Sequence, residues 1–509
     1  MDDAAKRVWR DTWDLWLAML TAVVVLTLVA VWHADRSAWY DEAWVIEYLD
    51  APTPLATLDL CVANHRPMAW GYAWMMWPVG HTAGDALWAY RVPSALFAAL
   101  LALATGILVL QWSEVRALGV VAVIFLLSSP FLQRYATEIK QYMPEAALSV
   151  TLILLTQWWS RCGRRAAAIA WLIVALLTLL LTFSGWFVVA ACGLVIALRW
   201  LRPLRKSQLV TTLIFGAIIA ALAAALHLGY SRHIATGSFE ASWAEEFVPF
   251  DRHWPGAIFN RLVEMQRRAW VSYDIPAKAM IASAAVGWLV WLRRQPVAAL
   301  AAGLSIGITL AANVAGVWPL GIGARARVNL PLIVLLNLCM LALPLGLIGF
   351  LTDALRRRVP DTPRPRLVME WAGFVLCLLL AAFVLRESSA ADYEVAQVRL
   401  LLREVAQQAR GEDLVILEET SAVQLRFDGP AVPGRVLRAP WPAPETVLTD
   451  YMPLATQPGY SRVWLAAGHH NDALASTWQS LGEALSTRGR WRQVWQGRLV
   501  ALYLFEPSE

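Results

Sequence analysis

Charge is scarce in this sequence, and no arrangement of cysteines stands in for it. Charged residues fill 16% of the 509 positions against 58% hydrophobic ones, and the mean hydropathy is +0.50. A soluble chain could not hide that much apolar surface in a single core. Five cysteines, Cys61, Cys162, Cys192, Cys339 and Cys377, are scattered, mostly inside apolar runs, with no CxxC pair and no ligand-like spacing. This argues against a disulfide framework or a zinc–thiolate centre. The net charge of +5 lies in short basic clusters between apolar runs and not along a groove, so nucleic acid is not an expected partner. What remains is a polytopic membrane protein.

Apolar segments of spanning length begin near Leu15, Leu87, Ala117, Tyr142, Ala166, Trp186, Leu209, Ala277, Pro296, Val328 and Leu367, about 11 helices at roughly 20 residues each. The first, "LWLAMLTAVVVLTLVAVW", has no small-residue cleavage site after it and reads as a retained anchor. Positive clusters alternate along the chain: Lys6, Arg7 and Arg10, then "RCGRR" at 161–165, "RWLRPLRK" at 199–206, "RR" at 293–294 and "RRRVPDTPRPR" at 356–366. Cytoplasmic loops carry such excess, so the N-terminus is expected inside. Loops 33–86, 131–141, 230–276 and 318–327 and the chain after Arg386 are expected outside. Two stretches of the first outer loop, "YDEAWVIEYL" and "RPMAWGYAWMMW", are expected as amphipathic helices in the headgroup layer, separated by Pro52 and Pro54.

After Arg386 the composition becomes that of a soluble domain. A helix ("YEVAQVRLLLREVAQQAR"), a buried strand ("GEDLVILEE"), "RVWLAAG", a further helix and paired strands "WRQVWQG" and "LVALYLFEP" predict a small α/β domain. It has no GxGxxG, Walker loop or obvious nucleophile, which favours support or recognition over a second active site. The expected organisation is therefore a membrane domain over 1–386, with outer loops 33–86 and 230–276, and an extramembrane α/β domain over 387–509.

Chemistry-bearing residues gather on the outer side. Asp41 and Glu42 sit between aromatic rings in "WYDEAW"; they are either a solvated helix start or reactive carboxylates. "SPFLQRYATEIKQYMPEAAL" places Arg134, Glu138, Lys140 and Tyr142 where a helix meets the outer surface, where charge is costly unless paired or used; an i, i+4 pair of Glu138 with Arg134 is the bland alternative. Arg325 and Arg327 in "GIGARARVNLPLI" lie at an outer helix end, against the positive-inside trend, and call for an anion.

Taken in order, "DE" after the first helix, "NHRPMAW", "RVPSALFAALLALATG", "SPFLQRYATEIKQY" and "RVNLPLIVLL" resemble the GT-C glycosyltransferases of the protein O-mannosyltransferase and lipid A aminoarabinose transferase type, over roughly residues 10–350. The resemblance implies a mainly α, GT-C type helical bundle that moves a sugar from a polyprenyl-phosphate donor to an acceptor on the outer face, with inversion. Phosphate is already a stable anion as it leaves, so one carboxylate base and some positive charge suffice. By the same resemblance Asp41 is the base or acceptor-orienting group, Glu42 holds or tunes it, and Tyr40, Glu138 and Tyr142 support the site. Guanidinium forks suit phosphate oxygens, so Arg66, Arg325 and Arg327, with Lys140, are expected on the donor phosphate; Arg327 stands four residues before Pro331, as the family's arginine does. His65 matches a family position that binds a divalent metal in some members, with Asp251 or His253 as a second ligand; the alternative is interface histidines bonded to backbone or lipid.

Two positions depart from the family pattern. His65, Arg66, Pro67 and Met68 replace its H-P-P-L, and Lys140 replaces an arginine, which bears on substrate identity more than on reaction class. The sequence-based reading is a bacterial inner-membrane glycosyltransferase using a sugar on undecaprenyl phosphate, with a lipid, glycan or protein acceptor and a periplasmic C-terminal domain. Asp41, Arg66 and Arg327 are expected to share one crevice. A lipid-linked-sugar flippase would instead place charges at helix midpoints and show repeated halves, and a non-catalytic scaffold would leave the outward arginines without a task.

Overall fold

The computed structural model describes residues 40–358 and 398–508, apart from 65, 85, 112–115, 128, 202–203, 235–242, 271–275, 322, 440–445, 469–471 and 498–499. Among these, the helices in chain order are α1 (Tyr40–Leu49), α2 (Pro54–Ala63), α3 (Trp70–Ala83), α4 (Leu87–Leu110), α5 (Arg116–Leu127), α6 (Pro130–Tyr135), α7 (Tyr142–Cys162), α8 (Arg165–Leu181), α9 (Gly185–Leu201), α10 (Lys206–Leu226), α11 (Trp254–Ala269), α12 (Ala277–Arg294), α13 (Pro296–Val314) and α14 (Leu330–Arg358). A π-helical turn, His227–Ser231, prolongs α10, and a 3-10 segment, Gly323–Asn329, leads into α14. Helices stand at nine of the expected spanning positions; the segments at Leu15 and Leu367 lie outside the described residues.

The chain is a membrane protein by the length and composition of its helices: among the described residues, Leu87–Leu110, Lys206–Ile234, Pro296–Val314 and Arg325–Phe350 are long and apolar enough to cross a bilayer. The apolar window of Lys206–Ile234 is only 11% buried, as a lipid-facing helix requires. Helix α7 is its opposite, buried along nearly its whole length. Its polar side chains are consumed in the bundle: Gln157 Oε1 accepts from Ala298 N in the first turn of α13 (3.2 Å), and Thr156 Oγ1 accepts from Trp171 Nε1 of α8 (2.9 Å). Such interhelical bonds replace the water that lipid cannot supply. Gly163 then ends α7 in the left-handed region, φ 61°, inside the "RCGRR" cluster. Where α12 crosses α14, a Cβ on Gly287 would stand 1.9 Å from the Cys339 carbonyl oxygen, so only glycine permits that approach.

The contacts divide the chain into two compact units, one of 1–33, 58–75 and 92–391, the other of 34–57, 76–91 and 392–509. The second contains the C-terminal α/β domain: α15 (Val398–Gln408), β1 (Leu414–Glu418), α16 (Glu419–Asp428), β2 (Arg435–Ala439), α17 (Val447–Ala455), β3 (Val463–Ala467), α18 (Asp472–Ser486), β4 (Gly489–Gly497) and β5 (Val500–Pro507). Sheet order is β2-β1-β3-β5-β4, with β1 parallel to β2 and β3, and β5 antiparallel to β3 and β4. Every residue of β1 and β3 is buried, because both faces are covered. Val398, Leu401, Leu402 and Val405 of α15 pack on Val415 and Leu417, while Tyr451, Trp478 and Leu481 of α17 and α18 pack on Leu414 and Ile416. Helix α16, β2 and α17 are additions to the sequence-based reading.

The first outer loop also differs from expectation. Helix α1 is no surface-lying element over its first part: residues 41–46 are all buried, Ala43, Val45 and Ile46 completely. Helix α2 is a third element between the two expected ones.

Candidate functional site

Within the unit that carries α1, the two adjacent carboxylates are in different situations. Glu42 is fully buried and pairs with Arg91 of α4, itself 4% exposed, at 3.4 Å. A buried carboxylate needs such a counter-charge to remain ionised. Asp41 accepts from the indole Nε1 of Trp44 at 3.4 Å, one turn along its own helix. Both acids stand in the first turn of α1, where the helix dipole favours negative charge. Arg91 was not singled out from the sequence, although "RVPSALF" was; the signal was a lone cation at a helix start, after a loop rich in acids. The side chain of Tyr40 lies outside the described residues.

Within the bundle unit, the segment ahead of α7 carries Arg134, Glu138 and Lys140. Ser129 caps α6 and donates to Ala269 O at 2.6 Å, fixing where the segment starts. Arg134 Nε and Glu138 Oε2 stand 3.4 Å apart with Glu138 fully buried, so the i, i+4 pair is formed. Ser94 Oγ donates to the Glu138 carbonyl at 2.5 Å. Lys140 is 4% exposed. Arg327 Nε donates to the Tyr142 hydroxyl at 3.1 Å, its guanidinium 6.0 Å from the ring centre.

Arg66 joins the same region through Cys61. Arg66 N donates to Cys61 O at 3.0 Å, and Cys61 is completely buried. Burial pushes the Cys61 thiol up to about 12, opposed by the nearby charge of Lys140, by a hydrogen bond with Tyr230 and by Arg66. Tyr230, in the π-helical turn beyond α10, donates to the Met68 carbonyl at 2.7 Å and so ties down the strip Arg66–Pro67–Met68. Nothing in the sequence near Tyr230 announces this, since it is 162 residues away in the chain.

Arg325 goes elsewhere. Its Nη1 is 3.3 Å from Glu246 Oε1, and its guanidinium lies 5.2 Å from the Trp243 ring. Glu246 also binds Arg261 at 2.7 Å, and Asn313 Nδ2 donates to the Glu246 carbonyl at 2.9 Å. The two arginines of "ARARV" thus diverge, one to the chain's own Glu246, the other to Tyr142. "WAEEF" carried that signal as an acid pair in an outer loop.

His65 lies outside the described residues. Asp251 and His253 share an exposed turn in which His253 N donates to Asp251 Oδ1 (2.7 Å) and the ring Nε2 accepts from Arg252 (2.8 Å). Among the described residues no three His, Cys, Asp or Glu side chains come together as a metal-binding group.

The described residues define a class by fold: a membrane helical bundle followed in the chain by a small α/β domain, with cationic side chains ahead of one buried helix. No protein-family model and no curated protein matches the chain. Among solved structures, the chain is similar to ArnT from Cupriavidus metallidurans bound to undecaprenyl phosphate, with TM-score 0.50 and 12% identity over 96% of this chain and 98% of that one. It is similar to the same protein in the apo state, with TM-score 0.50 and 14% identity over 96% and 97%. The likeness is one of fold.

Proposed function

We propose that this chain is a bacterial inner-membrane glycosyltransferase that takes a sugar from an undecaprenyl-phosphate donor on the periplasmic side and passes it, with inversion, to a lipid, glycan or protein acceptor. The observation that carries the reading is the charge around the start of α7. Arg134, Lys140, Arg327 beside Tyr142, and Arg66 beside Cys61 bring four cations toward that helix start, where Glu138 pairs with Arg134 and Glu145, in the first turn, accepts from Ser184. Charge gathered at such a depth marks a functional site, guanidinium and ammonium groups suit phosphate oxygens, and a polyprenyl phosphate is a membrane-borne anion. A fold shared with a protein solved with undecaprenyl phosphate supports the same donor class.

In this reading Arg66, Lys140 and Arg327 stabilise the charge that develops on the departing phosphate, and no general acid is required. Asp41 takes the acceptor proton or orients the acceptor. Glu42, already paired with Arg91, fixes the helix start and is not the base. Arg325, paired with Glu246, shapes the outer loop and contributes only long-range charge.

Purified protein incubated with radiolabelled polyprenyl-phosphate sugars and membrane extract should form labelled product. Arg327→Ala is expected to lower turnover by about 10²–10³-fold, as loss of a charge-stabilising donor does, and Asp41→Asn by about 10²–10⁴-fold if it serves as base. Translocation of the lipid without product in wild type, or full activity in both variants, rejects the proposal.

A further inference from the structure

We propose that the C-terminal α/β domain is the mount of the carboxylate helix, with Arg426 and Arg438 as positioning residues for Asp41. The proposal rests on the reading of Asp41 given above.

Helix α1 has only ten residues, too few to be stable by itself, so its placement is dictated by what it packs on. It shares a compact unit with the C-terminal domain and lies against α16. Two arginines from successive elements of that domain reach it: Arg426, in the last turn of α16, binds Asp50 at 2.6 Å, and Arg438, near the carboxyl end of β2, binds Glu47. Glu47 and Asp50 are three apart and share one side of the chain as it leaves the helix. Two fixed points on one side set the rotation of α1 about its axis as well as its height. The opposite constraints come from the loop: Thr57 Oγ1 donates to Tyr48 O at 2.9 Å, Trp77 Nε1 donates to Ala51 O at 2.9 Å, and Gly80 lies so close to Leu49 that an added Cβ would stand 2.9 Å from the Leu49 Cβ.

Both ion pairs are between a third and a half exposed, and exposed pairs add little to stability. Orientation is a different matter. A residue step is about 100° of helix rotation, and a misplacement of about 1 Å in a reacting group lowers rates on the order of 10²-fold. The domain therefore acts on catalysis through the angle at which α1 presents its first turn.

The test compares full-length wild type with Arg426→Glu/Arg438→Glu and with the charge swap that adds Glu47→Arg/Asp50→Arg. Two quantities are measured: hydrogen exchange of the amides at 40–50, and transfer kcat and donor KM. The expected result is exchange at 40–50 at least about tenfold faster in the double variant, with kcat reduced by about 10²-fold, donor KM within about twofold, and both restored in the swap. Unchanged exchange overturns the proposal. So does faster exchange with kcat kept, or a swap that restores neither quantity. If wild type makes no product at all, the functional reading fails instead, and the exchange measurement alone decides whether the domain holds the helix.

Discussion

At the scale of single residues, the adjacent acids of "WYDEAW" are given different roles by their surroundings. Glu42 is held by Arg91; Asp41 accepts from the Trp44 indole and is the acid proposed to act on the acceptor. The size of the Asp41→Asn defect then reports on the acceptor. A hydroxyl acceptor has a proton to lose and should show the full loss, whereas a phosphate acceptor has none and should show a far smaller one. Tyr230 makes a second residue-scale prediction. Its hydroxyl, which also meets the buried Cys61 thiol, donates a bond to the Met68 carbonyl, next to Arg66. Tyr230→Phe removes that bond while keeping the ring, so the Arg66 strip should loosen. Donor KM is expected to rise several-fold, with kcat less affected, since a net hydrogen bond is worth about 1 kcal/mol, or roughly fivefold. Steady-state kinetics at varied donor concentration would check it, and an unchanged KM would remove Tyr230 from the argument.

At the scale of elements, the spanning helices are legible because long apolar runs have few alternative solutions in a bilayer. Other elements were hidden for identifiable reasons. Strand β2 reads "RVLRA" between "GPAVPG" and "PWPAP"; flanking prolines and two arginines suggest loop, and only its place at the sheet edge makes the pattern tolerable. Helix α16 follows β1 with no intervening turn residue, so no break announced it. The aromatics of helix α1 suit an interface and predict the headgroup layer, whereas burial of residues 41–46 depends on neighbours distant in the chain, such as Arg91. Of the site, residue types were legible and partners were not: that Arg325 meets Glu246 and that Arg327 meets Tyr142 depends on contacts 79 and 185 residues apart. The α12–α14 crossing gives a prediction at this scale. Alanine normally favours a helix over glycine by about 1 kcal/mol, yet at Gly287 the new Cβ would meet the Cys339 carbonyl at 1.9 Å. Backbone must move, so Gly287→Ala is expected to destabilise the protein by about 1–3 kcal/mol, visible as a lower unfolding temperature in detergent. A rise would mean that the two helices part easily.

At the scale of the whole molecule, orientation in the membrane is set by the basic clusters, and one cysteine sits inside such a cluster. Cys162 is exposed, flanked by Arg161, Arg164 and Arg165 at the turn between α7 and α8; by the positive-inside trend that turn is expected in the cytoplasm. Cys61 is the complementary probe. Its thiol is buried and pushed up to about 12, and since a raised value leaves the neutral thiol favoured, at pH 8 only on the order of 10⁻⁴ of it is the reactive thiolate. A membrane-impermeant maleimide is therefore expected to label Cys162 in inverted membrane vesicles and not in intact spheroplasts, with Cys162→Ser abolishing that signal, while Cys61 stays unlabelled until the protein is unfolded. Labelling of Cys162 from the outer side would turn the bundle over. The cations ahead of α7, one helix length away from Cys162, would then face the cytoplasm, and the periplasmic donor would have to be given up even if the transfer chemistry stood.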